Sequence, residues 1–214
     1  MADGEVGRVA WRDDNRNRAV GETAFQDFAN RVPTWHFSSN RQSGRVEFSH
    51  EDRMALQRAE GWLELRLPLE ANDELDEIEP AMREHPEVLK LRYSIYSAST
   101  KWEMALEVAN CLHHQLPDDP YGGVHAAVAL YRLGRTLEAK ERSLPLVARF
   151  PKDWSVPYNL ACYCAQLGEV EEAQDWFKAA MALDEHTVKR MGIDDPDLEP
   201  LWQAMRDTTW KRGG

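Results

Sequence analysis

Between residues 49 and 207 the apolar positions recur every three to four residues, in short runs separated by polar or glycine-bearing breaks. That spacing predicts a succession of short amphipathic helices. The clearest run extends from Tyr158 to Asp184. Its first predicted helix carries Leu160, Ala161 and Cys164 on one face and closes at Leu167-Gly168. The second opens at Glu169 and turns Val170, Ala173, Phe177 and Ala180 to its inner face. The pattern recurs along the chain, because Ala71, Ala105, Ala139 and Ala173 fall 34, 34 and 34 residues apart.

Three further helix pairs can be laid out in that register. In the first, Ser49 and Asp52 form a cap with an acid three residues on. Ala59, Trp62, Leu63 and Leu65 follow to about Arg66, then Ala71, Leu75, Ile78 and Met82 in a second helix. Pro68 suits that helix's first turn, and Pro80 is expected to kink or end it. The second pair uses Leu89, Tyr93 and Tyr96, a turn at Thr100, then Trp102, Ala105, Ala109 and Leu112. The third uses Ala126, Ala127 and Leu130, a turn at Gly134, then Ala139, Leu146 and Phe150. Gly122-Gly123 predicts a close backbone approach, and Pro145 a bend in the third pair's second helix. After the fourth pair, which ends near His186, a final helix from about Pro196 presents Leu198, Leu201, Trp202 and Met205. From Thr208 to Gly214 the chain reads as a tail.

Leu160-Ala161, Leu167-Gly168, Glu172-Ala173, Ala173-x3-Phe177 and Ala180, repeated with a period of 34, resemble the tetratricopeptide repeat (TPR). The match is fullest in the fourth pair, and Arg66 stands where Gly168 stands there, so the first pair reads as a degenerate capping unit. The resemblance implies an all-α helical repeat solenoid of about four helix pairs plus a C-terminal capping helix, over residues 49–207. Its small alanines allow helices to approach, its larger residues fill the space between units, and stability is a sum of neighbour contacts. It also implies a protein-interaction scaffold, with a partner peptide or segment in a concave groove lined by the first helices. Carried onto this chain, the groove positions are Gln57, Glu60 and Glu64; Leu91, Ser94 and Ala98; His125, Val128 and Arg132; and Asn159, Cys162 and Gln166. In the family an Asn at the place of Asn159 often bonds the backbone of a bound peptide. The family's clamp for acidic chaperone tails needs several Lys, Arg and Asn. Here Asn159, Arg132 and His125 alone would serve, and Glu60 and Glu64 would repel an acidic tail.

Residues 1–48 differ in kind. They hold seven Arg, no Lys and seven acids, in polar tracts too poor in apolar surface to offset their ordering entropy. A disordered arm is expected. Phe25, Phe28, Ala29 and Val32 trace one short amphipathic helix within it, either docked on the repeats or left undocked. A further reading makes the arm a non-native extension, with Met54 as the start.

The formal charge is -11, and no cluster of Lys and Arg is present to displace counterions, so no nucleic-acid partner is expected. No run is long and apolar enough for a membrane span and no signal-peptide core precedes the repeats, so a cytoplasmic protein is expected. Cys111, Cys162 and Cys164 read as free, buried thiols. His113 and His114 are adjacent and face different sides of a helix. His85, His113, His114 and His125 could meet in space but read as solvated or groove-lining, and the acid pairs Glu171-Glu172 and Asp194-Asp195 read as solvated. No catalytic motif, metal site or cofactor is expected. The rivals to a scaffold are a self-assembling homo-oligomer and, less favoured, a metal-dependent enzyme built around the histidines.

Overall fold

A computed structural model describes residues 47–211, with side chains through residue 206. The expected arm, its Phe25–Phe28 helix and residues 212–214 lie outside the described residues. Among the described residues the structure is all-helical. Four antiparallel pairs follow one another: α1 (His50–Glu64) with α2 (Pro68–Asp76), α3 (Pro86–Ala98) with α4 (Trp102–Gln115), α5 (Pro120–Arg132) with α6 (Thr136–Arg149), and α7 (Ser155–Gln166) with α8 (Val170–Leu183). A short α9 (Glu185–Gly192), a 3-10 turn (Pro196–Leu198) and α10 (Glu199–Lys211) end the chain. Helix α10 therefore continues past Thr208, where the sequence reads as tail.

The repeat is built by its turns. Arg66, Thr100, Gly134 and Gly168, each 34 residues from the last, have φ of 60°, 55°, 76° and 79°. The left-handed residue lets the next amide bond back to the helix it has left: Leu67 N–H donates to Trp62 O, Lys101 to Tyr96 O, Arg135 to Leu130 O and Glu169 to Cys164 O. Each is a Schellman closure that satisfies carbonyls the helix end would leave open. Glycine takes this conformation without steric penalty, whereas Arg66 and Thr100 are held in it by the repeat.

Helix starts are equally local. Ser49 Oγ accepts from the Asp52 N–H at 3.0 Å while the Asp52 carboxylate accepts from Ser49 N–H at 3.2 Å, a complete capping box. Asp52 reaches further, accepting from Glu79 N–H at 2.9 Å, so residues upstream of Met54 tie the first helix to the corner after α2. His85 and Asp119 cap α3 and α5, each followed by proline in the first turn.

Ala71, Ala105, Ala139 and Ala173 are each fully buried, as are Ala59, Ala127 and Ala161 in the facing helices. The closest approach is at Gly122, where a Cβ would lie 2.3 Å from the His113 backbone nitrogen, so α4 and α5 meet backbone to backbone. The prolines act differently from one another. Helix α2 ends at Asp76 and Pro80 opens a separate 3-10 turn that buries Met82. Helix α6 runs unbroken through Pro145 to Arg149, with Glu141, Leu144 and Pro145 exposed, so the carbonyl that Pro145 cannot serve faces water.

At the C-terminal end the array is sealed. Asp184 caps α9, Gly192 lies against the Phe177 ring, and the chain turns back through Asp195. Leu198 and Leu201 are fully buried. Trp202 Nε1 donates to Gly192 O at 3.1 Å, and its ring meets Phe177 edge-on at 5.1 Å.

Candidate functional site: the face of the first helices

Helices α1, α3, α5 and α7 repeat in register, so the twelve expected groove positions fall into three strings by sequence interval. Gln57, Leu91, His125 and Asn159 form one string, Glu60, Ser94, Val128 and Cys162 the second, and Glu64, Ala98, Arg132 and Gln166 the third, each at 34-residue intervals. Their exposure changes along the array. Gln57, Glu60 and Glu64 are exposed; Leu91, Ser94, Ala98, His125 and Arg132 are partly exposed; Val128, Asn159 and Cys162 are buried and Gln166 is exposed.

The α1 end is acidic. Glu60 has its pKa raised by burial first and then by the Glu64 and Glu87 carboxylates. In the middle lies an aromatic cluster. Tyr121 stacks on His125 at 3.8 Å, Tyr93 meets His125 edge-on at 4.7 Å, and the Lys90 ammonium sits 4.9 Å over the Tyr121 ring. His125 Nδ1 is 2.9 Å from Tyr121 O. Because a carbonyl can only accept, Nδ1 carries the proton. Burial, joined by the Lys90 charge and opposed by that bond, holds the His125 pKa down to about 4, so the ring is neutral at physiological pH. The Arg132 guanidinium lies 5.1 Å from the Trp102 ring.

The fourth unit is different, because the chain's own turn lies across it. Tyr158 OH donates to Asp195 Oδ2 in a short bond, and Tyr131 OH donates to Asp197 Oδ1 at 2.6 Å. Cys162 Sγ lies 3.9 Å from Asp195 Oδ2, and Gln166 Nε2 donates to Asp197 O at 2.8 Å. Tyr131, Tyr158, Asn159, Cys162, Tyr163, Asp195 and Asp197 line a cavity of about 10 Å³, room for about one water. The Tyr163 hydroxyl is buried there without a hydrogen-bond partner among the described residues. Burial raises the pKa of Asp195 and, with Asp195 beside it, pushes that of Asp197 up to about 6, against the pull of the Tyr131 bond and the Arg132 charge. Burial also pushes up the Cys162 thiol.

Asp195 and Asp197 are thus functional candidates that the sequence does not single out: Asp194 is exposed as expected, but Asp195 is engaged. The available signal is Asp195-Pro196-Asp197 ahead of an apolar residue, a turn sequence whose first Asp accepts from the Asp197 N–H at 2.9 Å. In the other acid pair both residues are exposed, and Glu172 also meets Lys140 Nζ at 2.7 Å, as does Glu169.

The histidines are dispersed among separate tasks. His85 caps α3 and meets Phe48 edge-on at 4.6 Å, His113 lies beside Gly123, and His125 belongs to the aromatic cluster. Among the described residues the one grouping with metal-ligand geometry is Cys164, Glu169 and Glu172. Lys140 Nζ already pairs with both of its carboxylates at 2.7 Å, and burial pushes the Cys164 thiol up to about 12. Among the described residues no helix is long and apolar enough to cross a membrane.

No family model matches the chain, and no curated protein matches it. Solved structures do. MamA residues 41-end from Desulfovibrio magneticus RS-1 superposes with a TM-score of 0.59 at 17% identity, over 76% of this chain and 94% of that one. MamA of strain MSR-1 gives 0.54 at 22% identity, over 64% of this chain and 78% of that one. A thermophilic TPR protein of Thermus thermophilus, TTC0263, gives 0.53 at 20% identity, over 70% of this chain and 86% of that one. With the turns, the alanine rows and the helix pairs in the same 34-residue register, the chain has the tetratricopeptide-repeat fold.

Proposed function

We propose that this protein is an interaction scaffold that holds an extended or helical segment of a partner protein along the face of α1, α3 and α5. The observation that carries this reading is the open stretch of the three strings. From Gln57 to Arg132 every position of the strings except the buried Val128 is at least partly accessible, whereas in the fourth unit Asn159 and Cys162 are buried and Gln166 bonds the chain's own turn. The acidic α1 end, with Glu60, Glu64 and Glu87, favours Lys or Arg in the partner there, and like charges would be rejected. Leu91, the Tyr121–His125 stack and the Arg132–Trp102 pair offer apolar and aromatic contact in the middle. No step in this reading calls for catalysis or a cofactor.

The test is affinity capture with the full chain beside a Leu91→Arg/Ser94→Arg variant, followed by titration of the captured partner's segment as a synthetic peptide. A peptide that binds the parent and loses at least tenfold with the variant, at equal helical content, supports the groove. A peptide bound equally by both refutes it.

One observation favours a second reading, self-association. Leu65, Leu67 and Leu69, in and beside the turn between α1 and α2, are 67%, 38% and 65% exposed, three large apolar side chains close in sequence that a second copy could cover. Sedimentation of the full chain across a hundredfold concentration range separates the two, since a monomer throughout removes the second.

A further inference from the structure

We infer that the outward face of α1 is a docking surface for a segment of the same chain, and that the apolar stripe Phe25, Phe28, Ala29 and Val32 is its occupant, closing the first end of the array. The repeat register defines the surface. In α3, α5 and α7 the positions turned to the preceding unit are Val88 and Ile95, Gly122 and Ala129, and Val156 and Tyr163, and all six are buried. Val88 and Ile95 pack with Ala55, Ala71 and Leu75 of the first unit, Ala129 packs with Trp102 and Ala105 of the second, and Gly122 lies against the His113 backbone. Their counterparts in α1, 34 residues before Val88 and Ile95, are Met54 and Gly61. Met54 is 39% exposed, and a Cβ added at Gly61 would meet nothing within 4 Å. Leu65, one turn further along the same stripe, is exposed. Helix α1 packs chiefly on α2 and α3, which leaves Met54 and Gly61 open on the side where every later unit has a neighbour.

Charge, spacing and reach favour this segment over a second copy. Residues 47–82 hold eleven acids and three Arg, so two copies meeting through this face would bring like charges together, whereas residues 16–45 hold five Arg and two acids. Phe25 and Val32 are seven residues apart, as are Met54 and Gly61, so the two stripes match over about 10 Å of helix. The sixteen residues 33–48 between Val32 and Ser49 reach about 50 Å when extended, and the whole of α1 is about 22 Å long, so the tether spans the face with slack. A helix as short as Phe25–Val32 is marginal alone in water, and burying its rings over the gap at Gly61 is what stabilises it. The tether makes that docking intramolecular, so a small apolar contact suffices. Met54, Gly61 and Leu65 lie outside the twelve groove positions, and this docking is independent of the groove reading.

The test uses the full chain. With a diazirine-bearing amino acid at position 54, illumination should join that position to residues 23–37 of the same chain, and adding Phe25→Ala/Phe28→Ala should cut the yield at least tenfold. A mixture of isotopically heavy and light chains identifies the source. Adducts joining heavy to light chains, or no adduct with residues 23–37, overturn the inference. Limited trypsin digestion gives a second readout. Cleavage after Arg31 should be at least tenfold slower in the chain than in a synthetic peptide of residues 20–40. Gly61→Arg, whose side chain enters open space and sets a positive charge against the arginines of the arm, should remove that protection. Equal cleavage in chain and peptide overturns the inference, and protection that survives Gly61→Arg places the segment on another surface and overturns it too. If Gly61→Arg loses helical content, the crosslink alone decides. None of these outcomes alters partner capture through Leu91 and Ser94, which is tested separately.

Discussion

Thr100 has a β-branched side chain at φ 55°, and Arg66 sits at φ 60°, where two other turns use Gly134 and Gly168. Replacing Thr100 by glycine should therefore raise stability by about 1 kcal/mol, the left-handed cost removed less the entropy gained by the unfolded chain. Urea unfolding measures it, and a loss of stability would contradict the assignment. Gly122→Ala should do the opposite, costing about 1–3 kcal/mol because the new methyl meets the His113 backbone and cannot be relieved by a rotamer. His125 gives a residue-level pH test. Its pKa is lowered from 6.5 to about 4, so its contribution to stability is complete above 6.5 and lost as pH falls toward 4. An NMR titration should find the ring neutral at pH 5, and protonation near pH 6.5 would contradict the enclosed, stacked geometry. These turn and packing residues are legible in the sequence because their causes are local: a left-handed position or a small side chain recurs at a fixed interval. Asp195 is not, because its partner Tyr158 is 37 residues upstream and nothing near Asp195 announces it.

Among the elements, α4, α6 and α8 are each 14 residues long while α2 is nine, because Pro80 ends the pattern that Ile78 and Met82 continue in the sequence. Both apolar residues are still buried, by a corner rather than a helix. Asp52 holds that corner. Asp52→Ala should cost about 1–2 kcal/mol through loss of the capping box, and thermal melting of the full chain checks it. An unchanged midpoint would mean that the corner is held by packing alone. Helix α9 is the one helix that the sequence reading lacks. It is eight residues long, starting at Glu185 with the Asp184 side chain as its cap, and its signal merges with the end of α8. Pro145 shows the reverse case: a strong local breaker inside α6 is overridden by helix packing on both sides of an exposed position.

At the scale of the molecule, the first three units and the fourth, over which the chain's own turn lies, are expected to respond to pH in opposite ways. Asp197 is raised from 3.8 to about 6 and Asp195 is raised with it. Docking of the turn is thus favoured most below 3.8, and that gain is lost as pH rises through 6. The groups facing the pair are Tyr131 and Arg132 from α5 and Tyr158, Cys162 and Tyr163 from α7. Of these Arg132 alone is charged over this range, and it favours the ionised form of Asp197. Exchange of the Leu198 amide, corrected for intrinsic rate, should be slower at pH 5 than at pH 7.5. The absence of any change would contradict the burial of these carboxylates. The repeat architecture was accessible from the sequence because each unit restates the same pattern. The covering of the fourth unit was not, because it arises once, from a segment outside the repeat.

The claim on which the account depends is that the face of α1, α3 and α5 holds the partner. The most direct measurement places a photo-crosslinking amino acid at position 94, on that face, and in a second chain at position 141, exposed on α6. Illumination in cell extract should give a discrete adduct with one partner from position 94, lost when the Leu91→Arg change is added, and none with that partner from position 141. An adduct from position 141 and none from position 94 would contradict it and place recognition on the second helices.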